Sequence, residues 1–157
     1  MMRLAVDVRI INPFMVGIKH VFTTMLATDL LFSKPRLKLN DEARADVAAI
    51  IGFSGQAVGN VALCFPLPTA VMAASQLAGE KLDQKHPDFA DALGELANMV
   101  AGQAKSKFEG ITASISLPRV VLGNELQLLD TRDAPVLLLP CDSPLGRFNT
   151  EVAMTLK

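Results

Sequence analysis

The sequence predicts an α+β fold, a mostly antiparallel sheet packed against two long helices. Three observations carry this reading. Two stretches repeat apolar residues at helical spacing, one after Asn12-Pro13 and one between Pro87 and Phe108. Between and beyond them lie runs rich in β-branched residues, punctuated by Gly, Asn and Pro. The C-terminal segment Arg147 to Leu156 alternates polar and apolar residues from Asn149 onward, the period of a strand with two different faces. With 157 residues, half of them apolar, one domain over residues 1–157 can bury a substantial core.

Taken in order, the first helix is expected to open at Asn12-Pro13. Asn caps well, and Pro is tolerated in a first turn where its missing N–H is not needed. Phe14, Ile18, Val21, Phe22, Met25 and Leu26 then recur at helical spacing to about Thr28, while Leu4 to Ile11 reads as extended. Ser33-Lys34-Pro35 ends the next connection. Arg36-Leu37-Lys38-Leu39 alternates, and Ala45 to Ser54 and Asn60 to Phe65 read as strands. Gly52, Gly55 and Gly59-Asn60 read as turns, with an antiparallel pair reversing around Ser54-Gly55-Gln56.

Pro66-Leu67-Pro68 closes that pair and opens a helix through Ala70 to Ala78, stopped by Gly79. The long second helix is expected from Pro87 or Asp88 to Phe108. Asp88 and Asp91 complement its positive end, and Gly110 is the stop. Strands follow at Thr112 to Ser116, Val120 to Leu122, Val136 to Leu139 and Arg147 to Leu156. Ala90, Gly94, Ala97, Ala101 and Ala104 form a small-residue strip on the long helix, against which the Asn12-to-Thr28 helix is expected to lie.

Composition removes several function classes. Fifteen basic residues nearly balance sixteen acidic ones, and neither sign forms a run, so no nucleic-acid or anionic-membrane surface is expected. Asp7 and Arg9 interrupt the N-terminus too early for a signal peptide. The apolar stretch Val61 to Ala78 contains Pro66, Pro68 and Gln76, and reads as strand plus buried helix, not as a membrane span. Cys64 and Cys141 lack CxxC spacing and read as buried thiols of a reducing cytoplasm. His20 and His86 lie in different segments with no third ligand in evidence, so no metal site is expected. Phosphate-loop, dinucleotide and hydrolase-elbow motifs are absent from the sequence.

The most informative stretch is Asp91-Ala92-Leu93-Gly94-Glu95-Leu96-Ala97-Asn98. At about 100° per residue, Asp91, Glu95 and Asn98 fall within about 60° of one another. Phe89, Leu93, Leu96, Val100 and Ala104 occupy the opposite side as a core-facing stripe. A polar face is ordinary on a surface helix, and Asp91 alone suits the helix dipole. Two features point further. Asn is a mediocre helix former in mid-helix, and Gly102, one turn beyond it on the same face, leaves the backbone bare for close approach by another protein.

The pattern Asp-x3-Glu-x2-Asn, followed about twenty residues later by Pro118, resembles the signature of the CheC/CheX/FliY phosphatases. Leu93 to Lys105 is very like the CheX version of the motif helix. Ile11-Asn12-Pro13-Phe14, Ser114-Ile115-Ser116-Leu117-Pro118 and the Gly52-Phe53-Ser54-Gly55 to Cys64-Phe65-Pro66 hairpin region also resemble CheX, so the likeness spans almost the whole chain.

That resemblance implies a CheC/CheX-like fold and dephosphorylation of a response-regulator receiver domain, typically phosphorylated CheY. It implies that Asn98 orients the attacking water and that Glu95 contacts the receiver's conserved lysine. Asp91 would support the contact, and Gly102 would belong to the partner-binding face. No cofactor of its own is implied, Mg²⁺ being expected on the partner receiver. A homodimer formed by strand exchange or sheet extension is implied as well. CheC-type members carry a second motif on the first helix. Phe14 to Val21 has no Glu-x2-Asn, so one site per chain is expected. Two readings of different class stand: a phosphatase of a CheY-type receiver, or a noncatalytic docking or dimerisation module of the same fold.

Overall fold

A computed structural model describes residues 8–39, 45–126 and 135–157. The first helix, α1, spans Val8–Met25. It begins four residues before Asn12, which corrects the expectation of an extended segment up to Ile11. Residues 4–7 lie outside the described residues. Pro13 is therefore internal and lacks the N–H that would bond to the carbonyl of residue 9. An internal proline costs about 3 kcal/mol. Ile10 and Ile11 continue the buried stripe of Phe14, Ile18, Val21 and Phe22. Burying each contributes about 1.5–3 kcal/mol, enough to offset the proline.

Two short strands follow, β1 (Leu31–Phe32) and β2 (Arg36–Leu37), both antiparallel to β7 (Leu137–Ser143). The hairpin β3 (Ala45–Gly55) and β4 (Ala57–Phe65) reverses at Gly55-Gln56, as the sequence implied. Gly52 and Gly59-Asn60 are not turns but lie inside the paired strands. Gly59 has φ 147°, and a side chain there would run into the Ala153 carbonyl oxygen of the neighbouring strand. Close backbone approach, not chain reversal, explains that glycine.

Helix α2 (Leu67–Ala78) opens with a proline in its first turn and ends at Gly79, whose φ of 71° is the left-handed cap. Helix α3 covers Phe89–Ser106 with Asp88 as its cap residue. Pro87 thus precedes the helix, and Gly110 (φ 67°) lies beyond its end. Strands β5 (Ala113–Ile115), β6 (Arg119–Leu126), β7 and β8 (Gly146–Leu156) complete the chain. Among the described residues the sheet has eight strands, ordered β1-β7-β8-β4-β3-β5, with β2 also on β7 and β6 also on β3.

The sheet's two faces follow from period-two alternation. Val47, Ala49, Ile51 and Phe53 of β3 share the main core with the helices, as do Val61, Leu63 and Phe65 of β4. Phe22 stacks on Phe148 of β8 at 5.1 Å, and Phe14 meets Phe53 edge-on at 5.7 Å, tying α1 to the sheet. Ala48, Ala62 and Cys64, one register away, form a smaller cluster together with Ala45, which precedes the register shift between Ala45 and Val47.

Helices α1 and α3 pack side by side at backbone contact distance. A Cβ at Gly17 would sit 3.1 Å from the Ala104 nitrogen and 3.4 Å from the Val100 carbonyl. Ala97, Ala101 and Ala104 are buried, whereas Gly94 faces Pro118 and Val120 instead of α1. No described helix is long and apolar enough to cross a membrane.

Candidate functional site

Helix α3 turns its buried side, Phe89, Leu93, Leu96, Val100 and Ala104, into the core. That fixes the rotation of the helix, because these five residues leave only one face outward. Asp91 and Glu95 are exposed on that face, and Asn98 and Gly102 are half-buried there. Among the described residues, Asp91, Glu95 and Asn98 have no hydrogen-bond or ion-pair partner within the chain. A Cβ at Gly102 would meet nothing within 4 Å among the described residues. The result is a ridge with two carboxylates and a carboxamide, ending in a bare stretch of backbone.

The ridge is flanked by a braced turn. A Cβ at Gly94 would lie 3.4 Å from Pro118 Cγ and 3.6 Å from Val120 Cγ2, so the turn between β5 and β6 rests on the helix there. Ser116 anchors the turn from the other side. Its backbone N–H donates to the Gly52 carbonyl at 2.9 Å, and its Oγ accepts the Gly52 N–H at 2.9 Å. Between these anchors Leu117 is 87% exposed. In the sequence Pro118 stands out only through the family resemblance, and its pairing with Gly94 depends on tertiary approach that no local pattern encodes.

A second polar cluster lies within the sheet and was missed from the sequence. Lys38 Nζ lies 2.9 Å from Glu151 Oε1, and the two side chains are 1% and 0% exposed. Glu151 stands between Ala62 of β4 and Leu138 of β7 in the strand register. Burial pushes its carboxyl above the ordinary 4.5, while the Lys38 ammonium, hydrogen-bonded to it, pulls the other way. Among the described residues Glu151 Oε2 has no hydrogen-bond partner of normal geometry. The neighbouring Cys64 thiol is raised well above 9.0, first by burial and then by the Glu151 charge. Burial likewise pushes Cys141 up to about 12. Both thiols are free and buried, as expected.

The sequence offered no third ligand beside His86, but the fold brings Glu80 and Asp88 to it. Glu80 faces Nε2 at 3.6 Å, whereas Nδ1 accepts the Asp88 backbone N–H at 3.1 Å and meets the Asp88 carboxylate only at 4.0 Å. The two carboxylates thus address different ring nitrogens. This arrangement fastens the loop before α3 to the helix start.

The fold and its surface define an α+β domain with helices on one face of the sheet and a polar ridge turned outward on α3. The family model "Chemotaxis phosphatase CheX" matches residues 47–142, more than half of the chain. The chain therefore belongs to the CheX family of chemotaxis phosphatases. It is 28% identical over 125 residues to the CheY-P phosphatase CheX of Thermotoga maritima, covering 78% of this chain and 81% of that protein. Among solved structures, a CheC-like superfamily protein from Shewanella sp. PV-4 superposes with a TM-score of 0.85 at 30% identity, over 95% of this chain and 99% of the other. The CheX chain of a CheX-CheY-BeF3-Mg²⁺ complex from Borrelia burgdorferi shares the fold, with a TM-score of 0.78 at 24% identity over 92% and 97% of the two chains.

Proposed function

We propose that this protein accelerates hydrolysis of the aspartyl phosphate on a CheY-type receiver domain, with Asn98 positioning the attacking water. The observation that carries the reading is Asn98 itself. It is a half-exposed carboxamide in the middle of a helix, with no partner among the described residues, one turn from the equally unengaged Glu95. Buried or locally bonded Asn would need no further explanation, but an Asn free on a helix lowers helix propensity without return. Family membership and the Thermotoga relative's activity on CheY-P support the same reading.

The chemistry needs little from this chain. An acyl phosphate is already activated, so the step is in-line attack of water on phosphorus with loss of the aspartate carboxylate. The P–O bond to the aspartate breaks as the bond to water oxygen forms, and inorganic phosphate leaves. A carboxamide accepts one hydrogen bond from water and donates another without changing charge, so it orients the nucleophile across a wide pH range. Glu95 takes the receiver's lysine, Asp91 supports the contact, and Gly102 lets the two backbones close. The charge on the phosphoryl group is met by the receiver's own lysine and Mg²⁺, and this chain brings no cofactor. The protein acts as a homodimer with one ridge per chain.

The test is phosphate release from phosphorylated CheY-type receivers, comparing wild type, Asn98→Ala and Glu95→Ala, with receiver binding measured in parallel. Faster release with wild type, lost in Asn98→Ala while binding persists, is the expected result. Binding without acceleration by the wild type would replace the phosphatase by a noncatalytic docking module.

A further inference from the structure

The turn carrying Leu117 lies too close to the ridge to escape a partner that reaches Asn98. At about 100° per residue, Gly94 sits about 40° around α3 from Asn98, and four residues of helix rise about 6 Å. Pro118 rests on Gly94, and Leu117 precedes it with 87% of its surface exposed. The helix rise, the Pro118 contact on Gly94 and one chain step of about 3.8 Å together put the Leu117 backbone on the order of 10 Å from Asn98. A standard protein interface covers about 800 Å² on each partner, a patch roughly 30 Å across. Any globular domain centred on Asn98 covers Leu117.

Single exposed leucines are common and carry no meaning by themselves. This one differs in how it is held. Ser116 exchanges two hydrogen bonds with Gly52, its Oγ also donates to the Leu117 carbonyl at 3.1 Å, and the next residue, Pro118, rests against Gly94 of the helix. The backbone of Leu117 is thus ordered before a partner arrives, so docking costs only the rotamer freedom of one side chain. Beside it the ridge offers only polar groups and bare backbone, which give orientation but little desolvation gain. An apolar anchor next to a polar ridge is the division of labour found at interface centres.

We propose that Leu117 is the apolar anchor for the receiver domain, setting affinity and choice of receiver without touching the reacting atoms. The inference rests on the phosphatase reading given above. Its partner is a receiver with an apolar surface beside the phosphorylated aspartate, into which Leu117 packs. Because Leu117 contributes to binding in the ground and transition states alike, its loss acts on KM and leaves kcat in place.

The experiment is steady-state phosphate release from a phosphorylated CheY-type receiver by the full chain, comparing wild type, Leu117→Ser, Leu31→Ser and Asn98→Ala. Leu31 is also exposed, but it lies on β1 at the opposite edge of the sheet from β5. Leu117→Ser is expected to raise KM about tenfold, the size of losing one leucine's burial, with kcat unchanged. Leu31→Ser should leave both unchanged, and equal thermal stability of the two serine variants excludes misfolding. Wild-type KM in Leu117→Ser, alongside an inactive Asn98→Ala, overturns the anchor alone. Absence of acceleration by the wild type overturns the phosphatase reading itself, and the receiver-binding constants of the same variants then decide the anchor.

Discussion

Two polar clusters in this protein are built on opposite terms. On α3, Asp91, Glu95 and Asn98 face outward with no partner among the described residues. In the sheet, Lys38 and Glu151 are closed off from water and bonded to each other at 2.9 Å. The first cluster is at most half-buried in the free protein, and its hydrogen-bonding capacity remains open for a partner. The second has been desolvated by folding, which is expensive for charges and is tolerated only because the pair is made. Polar residues that answer to the fold find their partner within it, as Glu151 Oε1 does in Lys38. Those that answer to another molecule are left waiting on a helix whose opposite side is fully committed to the core.

The comparison breaks most visibly at Lys38. Lys38→Met leaves Glu151 as a buried carboxylate whose Oε2 already lacks a partner among the described residues, and the expected loss is about 3–5 kcal/mol of unfolding free energy in denaturant titration. The double variant Lys38→Met with Glu151→Leu should recover most of it, since two apolar side chains need no pairing. Equal losses in single and double variants would mean that the pair is not the source.

Gly102 gives the converse case. Among the described residues nothing stands within 4 Å of a Cβ at that position, and alanine is about 1 kcal/mol better than glycine inside a helix. Gly102→Ala should therefore raise the melting temperature while weakening receiver turnover. A variant that is more stable and equally active would remove Gly102 from the contact surface.

A pH dependence should belong to the sheet cluster. Burial holds the Glu151 carboxyl above 4.5 in the folded chain, so the folded state keeps that proton when the unfolded state has lost it. The contribution is fully present below about pH 4.5 and is lost as pH rises through the folded value. Unfolding titrations across that window should show stability falling with pH in the wild type, and a flatter profile in Glu151→Gln. A wild-type profile rising through the window would reverse the assignment.

The sequence made the ridge legible because its information is local. Asp91, Glu95 and Asn98 are close in sequence, and a helical period suffices to place them on one face opposite Leu93 and Leu96. The hairpin at Gly55-Gln56 and the stop at Gly79 were legible for the same reason, each resting on a turn residue where the chain reverses or ends. What stayed hidden was set by distant approach. Lys38 and Glu151 are separated by 113 positions, and in each segment the charge occupies an ordinary polar place in an alternating pattern. That alternation marked two faces of β8 but said nothing about whether water reaches Glu151, which is fully buried. Gly59 resembled a turn because its real constraint, the passing backbone at Ala153, comes from β8. The early start of α1 was obscured by Pro13, whose local cost is outweighed by burial of Ile10 and Ile11.

The central claim concerns Asn98, and single-turnover decay of a phosphorylated CheY-type receiver at saturating protein tests it most directly. Saturation separates the chemical step from docking. Wild type should shorten the receiver's phosphate lifetime, and Asn98→Ala should slow the bound complex about a hundredfold or more, the size of removing one positioned hydrogen-bonding group. An Asn98→Ala complex that hydrolyses its phosphate as fast as the wild type would contradict the account.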